Sequence, residues 1–350
     1  MKNMKTNDIW VKLPKVNLHH HLEGAIRLET FLEIASTHML PIPVRTLEDA
    51  ADYLQVSDED KSLADFLVKV DRSLEVSKFP GVLERMAYEA VEDAYRQNVR
   101  YLEIRFGPWL HVTPERSLRN VIEETLSGIN QACSRYPITA RLIVCALRQH
   151  EPKQNLILAR TAAEYIEQGA AGFDIAGDEA AYPADIFAEA FKTAKKSGLG
   201  ITVHAGEVGD GSRVLEAIEV LGADRIGHGI QIADNTSLME AVKKAGVTLE
   251  VCPTSNVHTR AVPELAVHPI RRLYDWGVKV SLGDDDPTTS SITISSEYEL
   301  IGEQFNFTPA EIAAIVLTGA EAAFLPAEQK HKLVTELNQE LTSWLKQAQN

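Results

Sequence analysis

Residues 16–24 read VNLHHHLEG, three consecutive histidines closing a short apolar run near the start of a 350-residue chain. As a β-strand, this segment sends successive side chains to opposite faces, so His19 and His21 share one face and His20 takes the other. One pair is thereby placed to grip a metal ion, and the third histidine is not. The same design, a short apolar run ending in polar residues, recurs along the chain. RYLEIRF (100–106), RLIVCAL (141–147), GFDIAG (172–177), ITVHAGE (201–207), RIGHG (225–229), TLEVCPTSN (248–256) and KVSLGDDD (279–286) are seven further candidate strands.

From the second strand onward the gaps hold amphipathic segments such as NLILARTAAEYIEQG (155–169) and DIFAEAFKTAKKSG (185–198), each ending near a glycine that stops a helix. Eight strands alternating with helices predict an α/β protein, a (β/α)8 TIM barrel, and a barrel of this length forms one domain, here residues 1–350. Between the first two strands, residues 26–98 carry only helical patterning and are expected to form an insertion over the barrel mouth. The C-terminal segments TPAEIAAIVLTGAEAAF and PAEQKHKLVTELNQELTSWLKQ read as closing helices whose leucines are packing residues.

Composition narrows the function. With 35 Lys plus Arg against 50 Asp plus Glu, the net charge of -15 repels nucleic acid and anionic membranes and favours a small neutral or cationic ligand. Cys133, Cys145 and Cys252 show no zinc-finger spacing and no disulfide framework, which suits a reducing compartment. No secretory signal and no run of eighteen uncharged apolar residues is found, so a cytoplasmic enzyme is expected. The oligomeric state is left open.

In a barrel of this kind the C-terminal ends of the strands build the active site, and there the unusual polar residues collect: His19 and His21, Gly177 and Asp178, His204 and Glu207, His228, and Asp284 to Asp286. His19, His21, His204 and Asp285 meet the description of a mononuclear metal site, nitrogen-rich with room for water. His20 is expected to pack between barrel and helices. Glu23 either opens the following helix or contacts substrate, and His228, between glycines that let a ligand approach closely, is assigned to catalysis. Asp284 is either a tuning carboxylate or a surface residue. Cys252 and Ser255 lack the surroundings of a nucleophile, and neither GDGS (209–212) nor IGHGI forms a dinucleotide or phosphate loop.

Taken together, HxHLEG in strand one, FDIAGDE (173–179), TVHAGEVG (202–209), RIGHG (225–229), VCPTSN (251–256) and SLGDDDP (281–287) resemble the adenosine deaminases of the metal-dependent amidohydrolase superfamily, from about residue 13 to about residue 330. The resemblance implies one Zn2+ held by His19, His21, His204 and Asp285, with Glu207 as proton donor and His228 orienting the attacking hydroxide. It implies further that Asp286 and Gly177 contact the purine ring, Glu23 the ribose, and that Phe66 forms an apolar wall. Two positions depart from the family pattern: Glu23 stands where an Asp is usual, and Gly283-Asp284 stands where Asn-Thr is common.

The implied reaction is hydrolytic deamination of adenosine, and of 2′-deoxyadenosine, to the 6-oxopurine and ammonia. In it Glu207 protonates N1 while Asp285 and His228 take the water proton and aim the oxygen at C6. Free adenine or a modified nucleoside such as aminodeoxyfutalosine is the alternative substrate, and a catalytically silent binding module on the same fold is the reading from another class.

Overall fold

The computed structural model describes residues 8–348. Eight parallel strands follow one another in sequence order: β1 (Lys15–His21), β2 (Val99–Phe106), β3 (Thr139–Leu147), β4 (Ala170–Ala176), β5 (Gly200–Ala205), β6 (Arg225–His228), β7 (Thr248–Val251) and β8 (Lys279–Leu282). The sheet closes just beyond the end of β8. There the Asp285 N–H donates to the His19 carbonyl (3.0 Å), and the His21 N–H donates to the Asp285 carbonyl (2.7 Å). With helices between successive strands, this is the expected (β/α)8 barrel.

Several strands stop earlier than their sequence suggests. β7 ends at Val251, and Pro253–His258 forms a short helix instead. Proline supplies no ladder donor, and its fixed φ suits the first turn of a helix. Likewise β8 ends at Leu282 and β5 at Ala205, so Glu207 and the three aspartates ride on loops immediately above the barrel.

Apolar side chains of the strands face outward onto the helices. Helix Pro309–Ala322, opened by a reciprocal Thr308–Glu311 capping box, buries Ile312, Ile315 and Val316 and lies against β1 and β8. Its Gly319 permits that approach: a Cβ there would sit 2.5 Å from Val16 Cγ2. The last helix, Ala327–Ala348, buries Leu333, Leu337, Leu341 and Trp344 at helical spacing. No helix among the described residues is long and apolar enough to cross a membrane.

The barrel interior is ionic. Contacts between strands that are not neighbours must cross it, and Arg105 on β2 reaches Asp174 on β4 (2.8 Å) and Glu250 on β7 (2.6 Å). Arg225 on β6 binds Glu250 (2.6 Å) and Glu103 on β2. All five of these side chains are buried, and the array forms a charged floor beneath the strand ends.

Between β1 and β2 run the helices Leu28–Thr37, Leu47–Leu54, Leu63–Asp71 and Val82–Arg96. Helix Leu63–Asp71 packs on the turn Glu23–Ala25 and on the helix Pro287–Ser290, both of which follow strand ends. The Val56 N–H also donates to the Thr289 carbonyl (2.9 Å).

The tight seat of Gly319 yields a direct expectation. Gly319→Val should overpack the contact with Val16 and cost about 1–3 kcal/mol, read as a lower thermal midpoint; an unchanged midpoint would mean that this helix is seated elsewhere.

Candidate active site

Four imidazoles and one carboxylate meet above the ionic floor. His21 Nε2 lies 3.2 Å from His204 Nε2 and 3.4 Å from Asp285 Oδ1, while His19 Nε2 lies 3.2 Å from the same oxygen. The His228 ring centroid is 4.7 Å from that of His19 and 5.3 Å from that of His204. Ligand atoms of His19, His204, His228 and Asp285 all fall within 4.8 Å of one another. Gly227 keeps the space open, since a Cβ there would press on His19 Cε1 at 3.1 Å.

Two of these residues sit in the left-handed region: His228 at φ 61° and Asp285 at φ 57°. For an L-residue this costs on the order of 1–2 kcal/mol. The unusual backbone lies at the last residue of β6 for His228 and beyond the end of β8 for Asp285, and it turns each side chain toward the cluster.

Partners outside the cluster hold the rings of His19, His204 and His228. His19 Nδ1 is 2.9 Å from Glu250 Oε2, and His204 Nδ1 is 2.9 Å from Asp174 Oδ2, so both present Nε2 to the centre. This is the arrangement by which carboxylates orient metal-binding imidazoles. The Ser255 hydroxyl donates to Asp285 Oδ2 (2.6 Å), and Asn256 Nδ2 lies 3.1 Å from His228 Nδ1. His19 Nε2 itself is buried, with Asp285 Oδ1, 3.2 Å away, poorly aligned for a hydrogen bond.

Charge states favour a cation here. Burial pushes His21 and His204 below the usual imidazole range, which keeps each ring neutral with one nitrogen unprotonated. Burial opposes ionisation of Asp285, yet His19 and its neighbours hold that carboxyl well below the usual range. Burial and Arg105 press His19 down, but Asp285 and Glu250 outweigh them and raise it from the usual imidazole range. A converging set of imidazoles and one carboxylate has the donors that suit a divalent ion of the zinc type.

Glu207 stands beside the cluster, Oε2 3.7 Å from His228 Nε2. Burial, with the negative charges of Asp285 and Glu179 behind it, raises its carboxyl to about 8. Its backbone is held on both sides: Glu179 accepts the N–H groups of Gly206, Glu207 and Val208 at 2.7–3.1 Å, and Gln231 Nε2 donates to the Glu207 carbonyl (3.0 Å).

The remaining residues singled out in the sequence have distinct surroundings. Asp286 is buried with Oδ1 unpartnered, and burial beside Asp285 and Glu23 raises its carboxyl well above the usual range. Glu23 opens the turn Glu23–Ala25; its Oε1 accepts from the Gly107 N–H (2.8 Å) and lies 3.0 Å from His111 Nε2. Phe66 is buried on helix Leu63–Asp71 yet stands apart from the contiguous apolar core. Gly177, at φ 103°, follows β4 against Gln149.

A bulge in β1 between Asn17 and His20 puts both of those residues on Asp284 Oδ1, at 2.6 and 2.8 Å. His20 therefore points away from the metal-type pair, and Asp284 is buried on these two partners, which sets aside its surface reading.

The chain belongs to the adenosine deaminase family, whose profile matches residues 14–340. It is thus an enzyme, a hydrolase on a (β/α)8 barrel, and its family is metal-dependent. It is similar to an adenosine deaminase of Clostridium perfringens, with 36% identity over 92% of this chain and 97% of the relative. Among solved structures, it resembles a zinc-bound amidohydrolase from Burkholderia ambifaria at TM-score 0.89 and 27% identity, covering 99% of this chain and 96% of that one. An adenine deaminase from Arthrobacter aurescens superposes with TM-score 0.85 at 26% identity, covering 95% and 99% of the two chains.

The raised carboxyl of Glu207 has a measurable cost. A buried acid with its folded pKa near 8 destabilises the fold progressively as pH rises from the unfolded value of about 4.5 through 8, because only the unfolded chain releases the proton freely. Glu207→Gln should therefore raise the melting temperature of the metal-free protein, and more at pH 8.5 than at pH 6; an equal or opposite change would place Glu207 in a solvated setting.

Proposed function

We propose that the protein catalyses the metal-assisted hydrolytic deamination of adenosine, and of 2′-deoxyadenosine, to inosine or deoxyinosine and ammonia. The observation that carries this reading is the placement of Glu207, a carboxyl held in its acid form at neutral pH, beside a buried His/Asp cluster. A hydrolase that only cleaves an activated ester has no need of such an acid; adding water to an aromatic amidine does.

His19, His21, His204 and Asp285 would hold one divalent ion, zinc in this reading. When bound, such an ion lowers the pKa of water and supplies a nucleophile at neutral pH. The remaining steps belong to the chain. Glu207 delivers its proton to ring N1 as the water oxygen joins C6, so that the ring accepts the electron pair. Asp285 and His228 face that oxygen from the other side, where they hold it and take up its proton. The proton taken from water passes to the N6 amino group, the C6–N6 bond breaks and ammonia leaves, and the C6 hydroxyl proton returns to Glu207 as the 6-oxopurine forms.

The same loops support the substrate contacts. Asp286, with its unpartnered buried oxygen, and Gly177 would contact the purine, while Glu23, anchored through Oε1, would offer its other oxygen to the ribose. Residues 26–98 would act as a lid: helix Leu63–Asp71 touches the loops after β1 and β8, and its Phe66 would wall the nucleoside. Free adenine would leave both Glu23 and Phe66 unused, which favours the nucleoside over the activity of the Arthrobacter relative. The net charge of -15 fits a small neutral or cationic substrate better than a polyanion.

Deamination of adenosine, 2′-deoxyadenosine, adenine, AMP and aminodeoxyfutalosine, followed by ultraviolet absorbance with and without chelator, tests the reading. Chelator-sensitive turnover fastest on the two nucleosides is expected, and preference for adenine, or no turnover at all, would overturn it.

Single substitutions separate the roles. Glu207→Gln should keep its metal and lose about 10²–10⁴ in kcat. His21→Ala or Asp285→Ala should lose the metal, seen by elemental analysis, whereas His20→Ala should retain it; a metal-free His20→Ala protein would overturn the strand register assigned to the ligands.

A further inference from the structure

His228 is the last residue of β6, and its ring is not held by a carboxylate as those of His19 and His204 are. It is held by an amide, and the amide is held by another histidine. Asn256 Nδ2 lies 3.1 Å from His228 Nδ1, and Asn256 Oδ1 lies 3.1 Å from His268 Nε2. At the outer end, the backbone N–H of Ile270 donates to His268 Nδ1 (3.2 Å). Asn256 and His268 are both buried.

The direction of this chain of hydrogen bonds is set at one end. A backbone N–H can only donate, so His268 Nδ1 carries a lone pair and its proton sits on Nε2. That proton needs an acceptor, which fixes Asn256 with Oδ1 toward His268 and its NH₂ toward His228. His228 Nδ1 must then accept, and the remaining proton of the ring lies on Nε2, facing Glu207 and Asp285 at 3.7 and 3.9 Å. Reversing the amide would set two donors against each other at His268. A doubly protonated His228 would do the same at Asn256.

We propose that Asn256 and His268 are positioning residues that lock His228 as the neutral Nε2–H tautomer, so that His228 donates a hydrogen bond to the attacking oxygen and Asp285 alone takes the proton from it. This sharpens the division of labour given above, in which the two shared that task, and its catalytic consequence rests on the deaminase reading. Burial brings His268 down to about 3, so the outer end of the chain stays neutral across the working pH range. The signal is absent from any single motif: Asn256 follows β7, whereas His268 lies twelve residues further on in a loop.

Two measurements test it on the full-length protein. With ¹⁵N-labelled histidine, two-bond ¹H–¹⁵N correlations should show His228 protonated on Nε2 alone, in both metal-free and metal-loaded protein. Protonation on Nδ1, or on both nitrogens, would overturn the proposal, whatever the substrate is found to be.

Asn256→Asp replaces the donor with a carboxylate that accepts from both rings, and should move the His228 proton to Nδ1. Metal content and KM should stay within about twofold, while kcat falls at least about 10²-fold, since a catalytic imidazole held in the wrong tautomer loses up to about 10⁴. Wild-type kcat in Asn256→Asp, or a parallel loss of metal, would remove Asn256 from the role. His268→Leu should free the amide and give a mixture of His228 tautomers; a single unchanged Nε2–H signal would cut His268 out of the chain. Should Asn256→Asp fail to fold, the wild-type tautomer decides.

Discussion

The Glu250 carboxylate joins the barrel to the site above it. It is buried in the interior on β7, and each of its oxygens is doubly engaged: Oε2 with His19 Nδ1 (2.9 Å) and Arg105 (2.6 Å), Oε1 with the Thr202 hydroxyl (2.9 Å) and Arg225 (2.6 Å). Four other strands thus converge on one side chain. Burial alone would favour the neutral acid, but the two guanidinium groups hold Glu250 well below the usual carboxylate range. Removing one member of such an array leaves a buried charge uncompensated, typically at about 3–5 kcal/mol. The ring angle of His19 is therefore tied to the same balance that allows the barrel to close over charged residues.

Above that floor the chain concentrates features that oppose folding. Asp285 and His228 adopt left-handed backbone, Asp286 keeps an unpartnered buried oxygen, and Glu207 is raised to about 8 by burial and like charge. A fold optimised for stability alone would remove each of these. Their common location at the strand ends is what marks the site, because strain and perturbed carboxyls persist only where surrounding contacts over-determine them. The neighbouring carboxylates divide accordingly. Asp284 is satisfied by Asn17 and His20, and Glu179 by three backbone N–H groups, whereas Asp286 keeps one buried oxygen unpartnered.

The loop after β7 shows how few residues orient the whole cluster. In the stretch CPTSN, Thr254 hydrogen-bonds Glu297, Ser255 bonds Asp285, and Asn256 bridges His228 and His268. Three consecutive side chains can point in three directions because Pro253 starts a helix, whose successive residues rotate about its axis by roughly a third of a turn. A continued strand would have sent Thr254 and Asn256 to the same face.

Read alone, the sequence determined the barrel and the residues that gather at its mouth. Eight apolar runs alternating with helix-period segments leave little freedom of topology, and period-two alternation separates His19 and His21 from His20 without any coordinates. Local pattern carries such information because it is written in adjacent residues. Only the tertiary structure decided which distant groups meet. Arg105, Asp174 and Glu250 were visible as charges inside apolar strands, but whether they pair across the interior depends on strand stagger, to which no short window is sensitive. His111 meets Glu23, Ser255 meets Asp285, and His268 meets Asn256 across loops whose course follows from packing. Asp284, open to a tuning or a surface reading, was buried against Asn17 and His20 through a one-residue bulge in β1. Periodicity names the faces of an element; the closure of the barrel brings those faces together.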